Sequence, residues 1–301
     1  MKELINLKVD YAFKLIFAKE GNEAILIAFL NAALSLPQES KIENITILNS
    51  ELNKEYKEDK KSILDVRAET SKGMQINIEI QLNNQYDMEK RSLYYWAQMY
   101  TRQMREGMAY KELAKAVTIN ILDFDYLKQT QNYHNVFHLY EDEEKFQLTD
   151  AIEMHFMELP KLISKYLRRE VSPWENSLVR WLLLLEGSEN QEILQILEEI
   201  AVQDQVLHEA IVAWEKSSDD PRVREEYFAR RKALLDEKAA VREAELRLKE
   251  GIEKGIAEGK AEGKAEGKAE VARNLLDMGI EIPKVAKATG LSEEEVKMLK
   301  D

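Results

Sequence analysis

Several residue types are absent or scarce in this chain of 301 residues. It contains no cysteine, which excludes disulfide scaffolds, thiolate zinc sites and cysteine nucleophiles, and weakly favours a reducing compartment. No segment approaches the ~20 consecutive apolar residues of a spanning helix, and the first residues carry acid where a signal peptide would be apolar. We therefore expect a soluble, cytoplasmic protein with no membrane partner.

Positive charge is also in short supply, with 43 Lys plus Arg against 56 Asp plus Glu and a formal net charge of −13. This balance argues against indiscriminate binding to nucleic acid but is compatible with a local basic groove, because salt screens charges beyond ~8 Å. Hydrophobic residues make up 45% of the chain, which excludes bulk disorder. Phosphate-cradling, dinucleotide-binding and nucleophile-elbow motifs do not occur, so kinase, ATPase, dehydrogenase and esterase functions have no support.

Glycine is rare before residue 250 and regular after it, and this change divides the chain. Only four glycines precede residue 250, whereas from Gly251 to Gly267 glycine occurs at every fourth residue. On this basis we predict a mixed domain over residues 1–165 and a helical annex over 166–249. A Gly-x-Ala-Glu repeat over 250–270 and a small helical module over 271–301 complete the chain.

The hydrophobic pattern of residues 1–165 predicts an α/β fold. Apolar stripes indicate two helices between Asp10 and Leu36 and a third helix over Asp87–Arg105, ended by Gly107. Alternating or β-branched runs predict strands over Ile42–Leu48, Ser62–Thr70, Met74–Leu82, Lys115–Leu122 and Ala151–Leu159. An early antiparallel hairpin followed by a helical crossover indicates a mixed central sheet flanked by helices, with an α-helical region after it.

The predicted hairpin carries two acidic residues that can meet. Along residues 75–81, polar side chains including Glu79 alternate with isoleucines, so they share one strand face, and Asp65 lies on the polar face of the preceding strand. Asp65 lies opposite Glu79 only in the register in which the residue numbers of each facing pair add up to 144. This register requires a three-residue loop, Ser71–Gly73. Gly73 suits the left-handed position of such a loop. The two carboxylates would then lie ~5 Å apart.

Two carboxylates at this spacing repel each other unless a cation lies between them. Mg²⁺ or Mn²⁺ would take one or two carboxylates, a backbone carbonyl such as that of Ile80, and water, and would support phosphodiester hydrolysis. The alternative is a half-exposed hairpin whose polar side chains face water.

The helix that follows carries a polar stripe. Arg91, Tyr95, Gln98 and Arg102 recur at helical spacing, and guanidinium groups bind phosphates through paired hydrogen bonds. The stripe could flank a nucleic-acid backbone. The alternative is a solvated helix face with tyrosine packing.

Several short blocks of this sequence together resemble one known family. The blocks are Lys8–Lys14 with Phe29–Asn31, Lys60–Val66, Asn77–Gln81, Lys90–Trp96 and Ile121–Asp123. They are similar to the Rpn family of recombination-promoting nucleases, also described as transposases, within the PD-(D/E)XK nuclease superfamily. The resemblance covers roughly residues 1–165, and the glycine-spaced tail is also similar to tails of this family.

This resemblance implies a PD-(D/E)XK-like fold and a Mg²⁺-dependent DNA endonuclease in which Asp65 and Glu79 bind the ion. Gln81 stands where the wider superfamily has Lys, and its amide would orient the attacking water without supplying positive charge. Asp10 and Lys14 match the N-terminal block of the family and are candidate accessory residues. For Asp10 an equal alternative is a helix N-cap. A second interpretation of the whole chain is a catalytically inactive DNA- or protein-binding module of the same fold, and a third is a purely structural helical assembly.

The C-terminal part allows two interpretations of each segment. The glycine repeat is either a stalk through which the helices form a homo-oligomer or a flexible charged linker, because interior glycines each cost a helix ~1 kcal/mol. Residues 271–301 resemble a helix-turn-helix, with a capping box at Ser292 and Glu295. Phosphates would repel Glu293 and its acidic neighbours, which favours a packing or protein-contact role. The pair His134 and His138 is interpreted as structural.

Overall fold

The computed structural model describes residues 3–48, 51–52, 62–63, 66–84 and 87–299. The chain divides into two compact units, Met1–Ala233 and Leu234–Asp301. Within the described ranges, no helix combines the length and the apolar character that a bilayer-crossing segment needs.

A mixed sheet forms the centre of the first unit. The strands are Ile45–Leu48 (β1), Glu51–Leu52 (β2), Ser62–Ile63 (β3), Val66–Thr70 (β4), Gln75–Gln81 (β5), Ala116–Leu122 (β6), His134–Tyr140 (β7) and Gln147–Glu158 (β8). Six of them pair in the order β1-β4-β5-β6-β8-β7, while β2 and β3 form a separate pair. β5, β6 and β8 are parallel, and the outer strands pair antiparallel. The predicted mixed sheet is confirmed.

β4 and β5 form the predicted hairpin in the predicted register. Val66 pairs with Ile78, so that paired positions sum to 144. The loop between the strands is Ser71–Gly73, in which Gly73 has a φ of +83° and donates its backbone N–H to the carbonyl oxygen of Thr70 at 2.8 Å. A glycine adopts this left-handed conformation without the steric cost that a Cβ would add.

Helices cover the sheet and build the rest of the first unit. They are Asp10–Phe17 (α1), Glu23–Leu34 (α2), Met88–Thr101 (α3), Leu159–Leu167 (α4), Ser177–Leu184 (α5), Gln191–Ala201 (α6) and Gln205–Asp219 (α7). The predicted helix pair within residues 10–36 is confirmed as α1 and α2. Gly21, with a φ of +92°, lies in the turn between them.

The structure differs from the sequence-based prediction at several elements. The strand predicted over Ser62–Thr70 is found as two strands, β3, which pairs with the unpredicted β2, and β4, which belongs to the six-stranded sheet. β7 was not predicted, because this edge strand has a bulge and no clean alternation of buried and exposed residues. α3 ends at Thr101 rather than at Arg105. The side chain of Gln103 accepts a hydrogen bond from the backbone N–H of Ala114 at 2.8 Å and donates one to its carbonyl at 3.0 Å, which holds the chain away from the helix axis.

α5 and α7 pack on the N-terminal segment. The Trp181 ring lies edge-on to Phe17 at 6.0 Å, and the Trp214 indole donates to the Ile5 carbonyl at 2.8 Å. The boundary between the compact units therefore lies at residue 233 and does not coincide with the divisions expected near residues 165 and 249.

One continuous helix, α8, spans Pro221–Asp277 and includes the whole glycine repeat. In this structure the repeat is therefore helical rather than irregular, and its role as a stalk or a linker stays a prediction. Among the described atoms, a methyl group added at any glycine of Gly251–Gly267 would meet nothing within 4 Å beyond the helix's own backbone.

The second unit ends in two short helices, Ile282–Thr289 (α9) and Glu293–Met298 (α10). A small core of Ala272, Val285 and Val296 joins them to the end of α8. The predicted capping box is confirmed, since Ser292 Oγ accepts from the Glu295 backbone N–H at 3.2 Å and the Glu295 carboxylate accepts from the Ser292 backbone at 2.7 Å.

Candidate active site beneath α3

The polar face of β5 is buried. Asn77 and Glu79 are each 1% exposed, and the residues paired with them on β6 are Thr118 and Asn120, which share the same sheet face. α3 covers this face, because Ser92 Oγ lies 2.8 Å from Thr118 Oγ1. The alternative in which this strand face is exposed to water is therefore wrong.

A buried polar network fixes α3 on the sheet. Asn120 donates through Nδ2 to Ser92 Oγ at 2.9 Å and to the carbonyl of His155 at 3.0 Å. Burial of these groups is favourable only because they satisfy one another. Sequence reasoning missed this network, although the polar residues Thr118 and Asn120 alternating with valine and isoleucine along β6 were a signal for it.

Glu79 is paired with an arginine of α3. Arg91 Nε lies 3.2 Å from Glu79 Oε2, and the Arg91 guanidinium lies over the Tyr95 ring at 5.4 Å from its centre. Tyr95 is only 8% exposed. At Arg91 and Tyr95, the predicted stripe on α3 therefore faces the sheet rather than the solvent. Gln98 lies one turn further along α3, and Arg102 follows its last residue.

The carboxyl end of β5 is held by a cluster around a buried lysine. The backbone N–H of Asp123 donates to the Gln81 carbonyl at 2.9 Å, and Lys8 Nζ lies 3.3 Å from Asp123 Oδ1. Lys8 also contacts Glu186 at 3.2 Å and Glu189 at 2.8 Å. Three carboxylates around one ammonium group compensate for its burial.

The charges in this cluster shift one another's ionisation. Burial acts to lower the pKa of Lys8, but the Glu189 hydrogen bond and the surrounding carboxylates outweigh it and raise the pKa. Burial raises the pKa of Glu186, against the opposing effect of Lys8. Sequence reasoning did not select Lys8 or Asp123, although both lie in the blocks that carry the family resemblance.

A second buried cluster joins β6, β7 and β8. His134 Nε2 lies 2.8 Å from His155 Nδ1, and His155 Nε2 lies 2.6 Å from Glu153 Oε1. Lys115 pairs with the other carboxylate oxygen of Glu153, and His138 Nδ1 lies 3.9 Å from that oxygen. The two histidines interpreted as structural thus both lie next to buried side chains.

The remaining predicted residues are placed by the fold in different ways. Asp65 lies outside the described residues. Asp10 is the first residue of α1, Val9 occupies the N-cap position, and no side chain caps the helix, so the N-cap interpretation of Asp10 is wrong. Lys14 lies in the last turn of α1, and Ile80 is a buried residue of β5.

Two family models match the chain. The model described as PD-(D/E)XK nuclease family transposase matches residues 7–244. This chain belongs to the PD-(D/E)XK nuclease family transposases. The model described as Rpn/YhgA-like nuclease family, C-terminal HTH domain, matches residues 265–301, which confirms the predicted resemblance and the helix-turn-helix outline. No curated protein and no solved structure shows significant similarity to the chain.

The described residues of this PD-(D/E)XK family transposase include oxygen donors of the kind that would suit the divalent ion the family generally uses. Glu79 supplies a buried carboxylate, and the buried Asn77 Oδ1 has no hydrogen-bond partner among the described residues. Such oxygen donors are the ligands that Mg²⁺ and Mn²⁺ prefer. Within the described ranges no three His, Cys, Asp or Glu side chains are grouped to hold a metal, and the second predicted carboxylate, Asp65, falls outside them.

Proposed function

We propose that this chain is a metal-dependent DNA endonuclease of the recombination-promoting type, which hydrolyses phosphodiester bonds. The observation that carries the proposal is the buried carboxylate of Glu79, 1% exposed, in a hairpin whose paired positions sum to 144. In that register the position complementary to 79 is 65, where the sequence has Asp65. Arg91 supplies one positive charge to Glu79, and a second carboxylate beside it would require a further cation, which supports a metal-binding role.

We assign the ion, Mg²⁺ or Mn²⁺, to Asp65, Glu79 and the backbone carbonyl of Ile80. When bound, the ion makes water more acidic and neutralises charge on phosphate oxygens. Because Glu79 is almost fully buried, it would hold the ion and would not contact the phosphate itself.

Gln81 orients the attacking water. Its side chain lies at the partly exposed end of β5, and the Asp123 N–H bonded to its carbonyl fixes the backbone there. An amide can donate and accept hydrogen bonds but cannot supply the positive charge of a lysine. Asp10 and Lys14 are proposed accessory residues at the rim.

The phosphate contacts are assigned to the stripe on α3. Arg91, Gln98 and Arg102 provide polar groups along one side of the helix, and the buried Tyr95 supports Arg91 through the cation–π contact. Planar guanidinium groups match phosphate geometry through paired hydrogen bonds.

The second candidate is a catalytically inactive DNA- or protein-binding module of the same fold. Two observations favour it: the amide of Gln81 where the superfamily has Lys, and the pairing of Glu79 with Arg91, which neutralises the carboxylate without a metal.

Cleavage of supercoiled plasmid with Mg²⁺ distinguishes the two candidates. We expect the wild type to cut, and Asp65→Asn or Glu79→Gln to lower the rate by at least ~100-fold. Glu89→Gln removes an exposed carboxylate from the first turn of α3 and should cut like the wild type. Mn²⁺ titration by calorimetry provides a second readout, in which the two site variants lose binding.

A wild type that never cuts with any divalent ion would identify the inactive module. Equal cleavage by all four proteins would refute the roles of Asp65 and Glu79 while leaving a nuclease elsewhere in the chain.

We further propose DNA as the partner, a cytoplasmic location, and a homo-oligomer formed through the C-terminal helices. The helix-turn-helix description of residues 265–301 supports DNA contact. The three glutamates at the start of α10 oppose insertion of that helix into a DNA groove, so we assign α10 to protein contact.

A further inference from the structure

A cavity of about 660 Å³ lies at the other end of the polar sheet face, between the β4–β5 turn and the segment that follows α3. Arg67 of β4 and Gln75 of β5 line its floor, and Arg102 and Arg105 line its wall. None of the functions assigned above uses Arg67 or Arg105.

Arg67 is a poorly compensated charge in this cavity. Its guanidinium is partly buried, and its Nε is buried without a hydrogen-bond partner among the described residues. Its Nη2 reaches Gln75 Oε1 only at 3.5 Å, the outer limit of a hydrogen bond. Burial lowers the pKa of Arg67, the charge of Arg102 lowers it further, and Glu69 acts in the opposite direction.

Two guanidinium groups that repel each other inside one cavity are stabilised by a shared anion. We propose that this cavity binds a phosphate group between Arg67 and Arg102, with Arg105 at its mouth. Phosphate oxygens would satisfy the buried Arg67 Nε and accept paired hydrogen bonds from both guanidiniums.

Three glutamates line the same cavity and limit which anions it can bind. Glu112 Oε1 accepts a hydrogen bond from the backbone N–H of Ala109 at 2.9 Å, and Glu106 is exposed to solvent. At Arg67 the charge of Arg102 acts more strongly than the opposing charge of Glu69. This arrangement suits a single phosphate rather than an extended polyanion.

The phosphate can come from the DNA backbone or from a small phosphorylated molecule. Gln75 and Glu79 are four residues apart on β5, or ~13 Å, a span of a few nucleotides along a DNA strand. The DNA source rests on the proposed nuclease function, whereas the binding of phosphate does not.

Thermal unfolding of the full-length protein in inorganic phosphate, against chloride at equal ionic strength and with EDTA present, tests the site. Phosphate should raise the melting temperature of the wild type and of Arg168→Met, an exposed arginine outside the cavity. Arg67→Met keeps the apolar stem but should lose the phosphate-specific part of the rise. An equal rise in all three proteins would reduce the effect to general salt stabilisation and overturn the proposal.

Calorimetric titration with inorganic phosphate gives the affinity and includes a gain-of-binding variant. Arg67→Met should weaken binding by ~10-fold or more, and Arg67→Lys should be intermediate because it keeps the charge without the paired donors. Glu69→Gln should bind phosphate more tightly, since it removes the carboxylate that opposes the site. Unchanged or weaker phosphate binding by Glu69→Gln would contradict the proposed phosphate site.

The salt dependence of binding to a DNA duplex, again with EDTA, identifies the source. If the cavity takes a backbone phosphate, Arg67→Met lowers the slope of log K against log salt by about one, and Arg168→Met leaves it unchanged. An unchanged slope, with phosphate binding intact, assigns the cavity to a small phosphorylated ligand and overturns the DNA source. Because no step requires cleavage, failure of the nuclease proposal would leave this result standing.

Discussion

Several buried ionisable side chains of this protein contact charged or polar partners from other segments of the chain, and burial and these contacts together shift their pKa values. Burial acts to raise the pKa of Glu153, but hydrogen bonds from His155 and Lys115 outweigh it and bring the pKa down to about 2. Burial, with the charge of His155 adding to it, lowers the pKa of His134 to about 4. Both shifts couple folding to pH.

The two shifts act in separate pH windows. His134 stays neutral in the folded state while the unfolded chain gains a proton near pH 6.5, so its contribution is complete above that pH and is lost as pH falls toward 4. The Glu153 contribution is complete above pH 4.5 and is lost as pH falls toward 2. The pKa shift in each window contributes at most about 3 kcal/mol to the free energy of unfolding.

We predict that His134→Gln flattens the stability curve between pH 6.5 and 4, and that Glu153→Gln flattens it between pH 4.5 and 2. Urea unfolding at a series of pH values measures both slopes. His208→Gln, an exposed position on α7, should give a curve parallel to the wild type. Parallel curves for all variants would show that these partners do not shift the two groups.

At the scale of elements, the β4–β5 hairpin determines where Glu79 lies, and one glycine determines the hairpin's turn. A Cβ added at Gly73 would lie 3.4 Å from the Ala114 Cβ, which is ordinary contact, so the cost of substitution comes from the backbone. The φ of +83° is unfavourable for residues with a side chain.

We predict that Gly73→Ala lowers the free energy of unfolding by about 1–2 kcal/mol, and that Gly73→Asn loses less because asparagine tolerates this conformation. Denaturant unfolding measures the difference. Gly187→Ala is a poor control because its Cβ would lie 3.1 Å from Trp214, so exposed Ser177→Ala serves instead. If Ala and Asn at position 73 cost the same, backbone conformation is not the cause.

At the scale of the whole molecule, the glycine repeat within α8 connects helix stability to self-association. The five glycines weaken the helix, yet they leave a smooth surface along which another helix can approach closely. A methyl group added there meets nothing within 4 Å in the isolated chain. A steric cost of replacing these glycines by alanine can therefore appear only when a second helix packs against α8 in an assembly.

We predict that replacing the glycines of Gly251–Gly267 by alanine raises the thermal stability of α8, by up to ~1 kcal/mol per site, and weakens the homo-oligomer. Circular dichroism reports the first effect and sedimentation velocity the second. Ala244→Gly, exposed on the same helix, should weaken the helix and leave the oligomer intact. A stabilised helix with unchanged association would exclude the stalk.

The local features of this protein follow from its sequence. The alternation along residues 75–81, the glycine at position 73 and the spacing to it predicted a hairpin register that the structure confirms. The capping box at Ser292 and the helix pair α1 and α2 were likewise predicted from neighbouring residues. Such features depend on periodicity and backbone preferences within a few residues, which the sequence states directly.

Which polar groups are buried together depends on the packing of segments that are far apart in the chain. Lys8 meets Glu186 across 178 positions of the chain, and α3 buries Glu79 against Arg91. The bulged edge strand β7 depends on its pairing with β8 for its structure. These outcomes follow from the packing of distant segments, because the burial of a charge becomes favourable only when the fold brings its partner to it.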